Sequence, residues 1–115
     1  MSLITIAVIV LALTALGGVA SAAFRARGSN PPMWLAIIHG VAAASGLALL
    51  VAAGLVEGFD PALAWGLGLL VVSALGGFIL FGTHLRKKLI SGRLTVVHAG
   101  ISVAGFVLVS VAALT

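Results

Sequence analysis

Two histidines lie within long apolar segments, and each has the same surroundings in the chain. His39 and His98 are each followed, seven residues later, by a glycine, Gly46 in the first case and Gly105 in the second. An ionisable side chain in hydrocarbon is costly to bury, so such a residue is a candidate for function. Because the two settings match, we predict that both imidazoles belong to one site between facing helices.

The composition indicates what carries these histidines. Of the 115 residues, 63% are hydrophobic and 7% are charged, and there is no cysteine for a disulfide or a thiolate ligand. Each apolar segment can cross a hydrocarbon layer of about 30 Å at roughly 1.5 Å per helical residue. We therefore predict an all-α membrane protein, a single domain over 1–115 folded as a four-helix up-down bundle. The predicted spans are 2–24, 33–56, 61–83 and 94–115.

The charged residues predict the orientation. All six cations lie in the first and third loops: Arg25, Arg27, Arg86, Lys87, Lys88 and Arg93. Both acids, Glu57 and Asp60, lie in the second loop. Since positive loops stay in the cytoplasm, both termini are expected outside, and a bacterial inner membrane is the expected location. The net charge of +4 reflects this asymmetry, so no nucleic-acid partner is expected.

The chain contains a tandem repeat. Aligning 1–56 with 60–115, a shift of 59 residues, gives 12 identities among 56 positions. The identities include His39 with His98 and the segment 15–18 (Ala-Leu-Gly-Gly) with 74–77. We predict two helical hairpins of the same topology, related by a pseudo-two-fold axis along the membrane normal.

The depth of these residues predicts a shared layer. In an up-down bundle the second and fourth helices lie on one diagonal, and the first and third lie on the other. At ~1.5 Å per residue, His39, His98 and both Gly-Gly pairs fall at similar depths in the cytoplasmic half. The gap across the diagonal is expected to be too wide for a direct contact between the imidazoles. It would suit a flat metal macrocycle.

Haem b is the macrocycle that these residues favour, with one haem per chain. Neutral imidazole is a usual axial ligand of haem iron, so His39 and His98 are the predicted metal ligands. Glycines are expected to leave room for the ring, namely Gly17, Gly18, Gly46, Gly76, Gly77 and Gly105. The anionic propionates are expected near the basic loops, where the candidate contacts are Arg25, His84 and Arg93.

Simpler interpretations exist for the same residues. A histidine in a membrane helix often serves only as a hydrogen-bond donor to another helix, and glycine pairs often mark close helix packing. His84 is expected about 10 Å nearer the surface than the His39 layer, which argues against three histidines on one zinc or copper ion. Two histidines alone are a poor zinc site, because zinc takes four ligands.

The paired histidines His39 and His98, with glycines on the intervening helices, resemble the b-type cytochrome core. The cytochrome b561 group and the haem-bearing anchor subunits of quinone-linked complexes share this architecture. The resemblance implies single-electron exchange with a quinone or a redox protein, in a homodimer or a larger respiratory complex, without a substrate-turnover site. The chain departs from diheme members, which have four histidines in two layers, because it has only one such layer.

Two other classes of function remain open. The many small residues and the near absence of segments outside the membrane also fit a structural or assembly subunit of a membrane complex. A small transporter is less favoured, because the spans contain no coupling acid and no broken helix.

Overall fold

The computed structural model describes residues 1–115 as four long α-helices. They are α1 (Leu3–Ala26), α2 (Met33–Glu57), α3 (Pro61–Leu85) and α4 (Gly92–Leu114). The predicted spans differ from these helices by no more than two residues at any end. Each helix is long and apolar enough to cross a membrane. The chain is thus a multi-pass membrane protein with the four-helix architecture that its sequence predicts.

Local signals at the loops determine where the helices begin and end. Ser2, Asp60 and Ser91 cap α1, α3 and α4, each accepting a hydrogen bond from a backbone amide of the first turn. Such caps satisfy amide groups that a helix cannot pair internally. At the other end of a helix, α2 stops at Gly58, whose φ of 97° is readily adopted only by glycine.

The helices form a square in which neighbours in the chain also pack side by side. The pairs α1–α2 and α3–α4 pack extensively and α1–α4 and α2–α3 pack less, whereas the backbones of α1 and α3, and those of α2 and α4, do not approach each other closely. The last two pairs are therefore the diagonals of the bundle, as predicted. The molecule is two tight hairpins joined by looser seams, with overall dimensions of 42 × 22 × 19 Å.

The buried core occupies only one end of the bundle. We call this the acidic end, which contains both termini and the α2–α3 connection; the basic end contains the two connections at 27–32 and 86–91. Many buried residues are paired across the repeat, and Leu50 and Val109, 59 residues apart, are both fully buried. The two hairpins thus meet about a pseudo-two-fold axis that runs along the bundle. The core is Ile4, Ala7, Leu11, Leu50, Ala53, Leu63, Leu70, Val109 and Ala112.

Gly46 and Gly105 belong to this core packing. A Cβ at Gly46 would lie 2.5 Å from Leu11 Cδ2, and one at Gly105 would lie 2.8 Å from Leu70 Cγ. Both glycines are buried and allow the two helices of each hairpin to approach closely. Glycine at these two positions therefore permits close helix packing. This role differs from the expected one of leaving room for a cofactor.

Side chains from α1 and the first connection join the two loops at the basic end. Asn30 Nδ2 donates to the Lys88 carbonyl at 2.7 Å, and Asn30 Oδ1 accepts from the Ile90 amide at 3.0 Å. Arg25 Nε donates to the Ile90 carbonyl at 2.6 Å. These bonds hold the hairpins together where the apolar core is missing.

Replacing Asn30 by alanine is therefore expected to lower the free energy of unfolding by about 1–2 kcal/mol, because two hydrogen bonds between the hairpins are lost. The measurement is thermal unfolding of the purified protein in detergent. Ser29→Ala is the matched control, since the Ser29 hydroxyl makes only a 3.4 Å bond within its own turn. Equal unfolding temperatures for the two variants would contradict this role of Asn30.

Candidate functional site

His39 and His98 face each other across the α2–α4 diagonal. Their ring centroids are 6.4 Å apart and their planes are inclined at 83°. Both residues are partly buried, and both line the same cavity. The structure thus brings together, in an edge-to-face arrangement, the two imidazoles that the sequence assigns to one site.

Each imidazole is fixed by the neighbouring helix of its own hairpin. His39 Nδ1 donates to the Thr14 carbonyl at 2.9 Å, and His98 Nδ1 donates to the Ser73 carbonyl at 2.7 Å. A carbonyl only accepts hydrogen bonds, so the proton of each neutral ring lies on Nδ1. The Nε2 atom of each ring then carries a free lone pair, and the protein offers it no hydrogen-bond partner.

The Gly-Gly pairs provide the space for the imidazoles. A Cβ at Gly18 would lie 3.1 Å from His39 Cε1, and one at Gly77 would lie 3.2 Å from His98 Cε1. Gly17 and Gly76 lie beside the same rings at slightly greater distances. The glycines therefore contact the histidine of their own hairpin, which sequence reasoning did not anticipate. Of the four, Gly18 and Gly77 also line the cavity.

A cavity of about 680 Å³ separates the two hairpins around the histidine pair. Binding sites for cofactors and other small molecules occupy about 300–1,000 Å³, so this cavity has the size of a cofactor site. All four helices contribute to its lining, which is almost entirely apolar. It extends from the core residues Leu11 and Leu70 to Pro31 and Ile90 at the basic end.

The cavity also reaches the sides of the bundle. Lining residues on each helix are exposed on the outer surface: Val19 on α1, Val41 on α2, Phe78 on α3 and Val103 on α4. An apolar molecule in the surrounding lipid therefore has a lateral route toward the histidines.

The spacing of the two rings determines whether a metal could bind between them. An imidazole nitrogen lies about 2.0–2.1 Å from a metal that it binds, so two rings that would share one ion must leave room for it between them. The observed separation of the ring centroids is 6.4 Å. A hydrogen bond between the rings would need a proton on one Nε2, but both protons are held on Nδ1. An electron-pair acceptor between the rings satisfies both nitrogens.

These two nitrogens supply only part of a coordination sphere. No group of three or more His, Cys, Asp or Glu side chains is placed to hold a metal ion. Any metal between His39 and His98 would take its other ligands from a non-protein group. A porphyrin would supply them from its own nitrogen atoms, and the apolar cavity offers space for such a group. The residues present therefore fit haem.

The three basic residues proposed for the propionates occupy different positions. His84 lines the cavity near the basic end. Arg25 is committed to the Ile90 carbonyl, with its guanidinium beside Gly92, and Arg93 is exposed. Neither arginine lines the cavity. Of the three, His84 alone faces the space in which an anionic group of the cofactor would lie.

Sequence reasoning missed Ser73 among the hydroxyl groups around His98, although Ser102 was a candidate partner for an imidazole. The Ser73 hydroxyl lies 3.1 Å from His98 Nδ1 and contacts the Ser102 hydroxyl. One signal was present in the sequence, because Thr14 and Ser73 are 59 residues apart and each precedes its histidine by 25 residues. The Ser45 hydroxyl, on the same helix as His39, donates to the Val41 carbonyl of that helix and not to an imidazole.

The candidate site is therefore a pair of imidazoles with free Nε2 lone pairs, whose ring centroids lie 6.4 Å apart in an apolar cavity that is open to the sides. Comparisons of the chain with protein families, with characterised proteins and with solved structures gave no match.

Proposed function

We propose that the chain is an integral-membrane b-type cytochrome that binds one haem b between His39 and His98 and exchanges single electrons with a quinone or a redox protein. The observation that carries the proposal is the 6.4 Å separation of two rings whose Nδ1 protons are both engaged elsewhere. A histidine that only joins two membrane helices does not need a second imidazole facing it, nor a free Nε2 atom.

Bound haem would supply an iron that changes oxidation state by one electron at a potential set by its ligands and surroundings. The chain performs the remaining tasks. His39 and His98 bind from opposite sides, and the Thr14 and Ser73 carbonyls orient their rings. The apolar cavity wall excludes water. With His39 and His98 both holding the iron, the protein would leave no ligand position open for a substrate, which favours electron transfer.

The proposal includes an orientation in the membrane. The basic loops favour the cytoplasmic side, which gives two external termini and a haem in the cytoplasmic half of a bacterial inner membrane. The lateral openings beside Val41 and Phe78 give a membrane-soluble quinone access to the cofactor edge. A homodimer or a larger respiratory complex is the proposed setting for electron exchange with a protein.

The test is the absorption spectrum of the protein purified from haem-replete cells. We expect a sharp Soret band, an α-band of the b type after reduction with dithionite, and one haem per chain by extraction into alkaline pyridine. A colourless, folded preparation would contradict the proposal. It would favour a structural subunit, in which the imidazoles only connect helices.

A conservative change beside the ring should weaken haem binding. Gly77→Ala adds a Cβ at 3.2 Å from His98 Cε1, so the imidazole must move from its position. Overpacking costs about 1–3 kcal/mol, and we expect haem affinity to fall roughly tenfold or more. The measurement is haem titration of the apoprotein in detergent.

The neighbouring glycine provides the control for this change. Gly76→Ala adds a Cβ at 3.7 Å from His98 Nδ1, an ordinary contact distance. We expect this variant to bind haem like the unmodified protein. Equal losses of haem affinity in the two variants would contradict the claim that Gly77 is needed to leave space for the His98 ring.

A further inference from the structure

The two halves of the site differ at two positions that the repeat relates. Thr14 corresponds to Ser73, and Ala43 corresponds to Ser102, each pair being 59 residues apart. Around His98, the hydroxyls of Ser73 and Ser102 contact each other, and the Ser102 hydroxyl donates to the His98 carbonyl at 2.7 Å. This pair of serine hydroxyls has no equivalent beside His39.

The hydrogen atoms of this cluster can be assigned from the available acceptors. The single proton of the Ser102 hydroxyl points to the His98 carbonyl. The proton of the Ser73 hydroxyl points to Ser102 Oγ or to the His98 carbonyl, which lies at 3.2 Å. In both cases the lone pairs of Ser73 Oγ remain free to accept from His98 Nδ1, 3.1 Å away.

The His98 Nδ1 proton therefore has two acceptors, Ser73 Oγ and the Ser73 carbonyl at 2.7 Å. The His39 Nδ1 proton has one, the Thr14 carbonyl at 2.9 Å. The Thr14 hydroxyl does not contribute, because it donates to the Val10 carbonyl of its own helix at 2.9 Å. The two imidazoles thus differ in how strongly their protons are drawn away from the ring.

We propose that Ser73 and Ser102 are positioning residues that make His98 the stronger electron donor of the two imidazoles. This inference rests on the proposed function, since the donation is to haem iron. Acceptors on the outer N–H of a ligating histidine fix its ring and raise its basicity, and linked hydroxyls polarise one another. A stronger axial donor stabilises the oxidised iron and lowers the reduction potential of the haem.

The test is the midpoint potential of the haem in a set of variants, measured by redox titration monitored at the α-band. Ser73→Ala and Ser102→Ala should each raise the potential, the first more than the second, because Ser73 contacts the ring nitrogen directly. Thr14→Ala, the repeat-related control, should leave the potential close to the starting value. Thr14→Ser combined with Ala43→Ser places the hydroxyl pair beside His39 and should lower the potential.

A second readout does not depend on the cofactor. In protein labelled with ¹⁵N-histidine, the Nδ1 proton of His98 should resonate further downfield than that of His39, and Ser73→Ala should reduce the difference. If the Ser73→Ala and Ser102→Ala variants bind haem but keep the starting potential, as Thr14→Ala is expected to do, this inference is overturned and the proposed function is not. A protein that binds no haem would overturn the proposed function and, with it, the donor role. Equal Nδ1 proton resonances would overturn the hydrogen-bond assignment.

Discussion

Replacing either His39 or His98 by alanine is expected to remove haem from the purified protein. Both rings line the same cavity with their centroids 6.4 Å apart, so each variant leaves the iron with a single protein ligand. We expect less than about a tenth of the haem to be retained, equivalent to a loss of at least ~1.4 kcal/mol of binding free energy. The measurement is haem content per chain after purification.

The third histidine of the chain is the matched control. His84 lines the same cavity but lies at its basic end, near the C-terminus of α3. His84→Ala removes an imidazole of the same size from the propionate end of the same cavity, so we expect a smaller loss of haem than in the ligand variants and an unshifted α-band. Full haem content in either ligand variant would contradict the assignment of His39 and His98 as the axial pair.

The largest expected effect on stability comes from Gly105. A Cβ at this position would lie 3.0 Å from the Gly66 carbonyl oxygen and 2.8 Å from Leu70 Cγ, so α3 and α4 cannot accommodate it without moving apart. Because a backbone atom cannot rotate away, we expect Gly105→Leu to lower the free energy of unfolding by about 3 kcal/mol or more. Thermal unfolding in detergent measures the loss.

A glycine on the same helix provides the comparison. Gly100 lies one and a half turns earlier in α4, and a Cβ there would meet nothing within 4 Å. We expect Gly100→Leu to unfold close to the temperature of the unmodified protein. If the two leucine variants unfolded at the same temperature, the close approach of α3 and α4 at Gly66 and Gly105 would not be what stabilises the hairpin.

The architecture could be predicted because membrane helices are determined mainly by length and hydrophobicity. Four apolar segments separated by short loops containing glycine, proline or charge leave few alternatives. The diagonal placement of His39 and His98 followed from the up-down order alone, and the structure confirms it. Their shared cavity followed from equal depth, since ~1.5 Å of rise per residue converts sequence position into height.

Roles that depend on the rotation of a helix could not be predicted in the same way. Gly18 and Gly46 are both glycines in apolar helices, yet one faces an imidazole and the other faces Leu11. Small residues are distributed around all four helices, so hydrophobic periodicity does not distinguish the inner face from the face toward lipid. For the same reason the role of Ser73, and its contact with Ser102, could not be predicted from the sequence.

The role of Arg25 was also beyond the sequence. Its position suggested a contact to an anionic group, whereas in the structure its guanidinium donates to the backbone of the opposite connection. A cationic side chain beside a helix end can donate hydrogen bonds either to an anionic ligand or to a backbone carbonyl. The conformation of the loop determines which of these acceptors is within reach. Asn30 and Arg25 connect the loops at the basic end through hydrogen bonds to backbone carbonyls. Loop contacts of this kind leave no periodic pattern in the sequence from which they could be predicted.

The bundle is packed at the acidic end and open around the histidines, and this difference creates the cavity of the candidate site. Burying Leu50 and Val109 at the acidic end fixes the distance between the hairpins, and the loop contacts of Asn30 fix it again at the basic end. Between these two points the seams remain loose enough to leave the cavity. The histidines are thereby held apart by the fold itself, with their ring centroids 6.4 Å apart.

Electron paramagnetic resonance of the oxidised protein tests most directly whether one iron lies between His39 and His98. Two imidazoles on a ferric haem give a low-spin signal, and planes inclined at 83° predict its strongly anisotropic form. We expect that signal from the unmodified protein at one spin per chain. A high-spin signal would mean that at most one imidazole binds the iron, and the absence of any haem signal would mean that the pair binds no iron; either result would contradict the account.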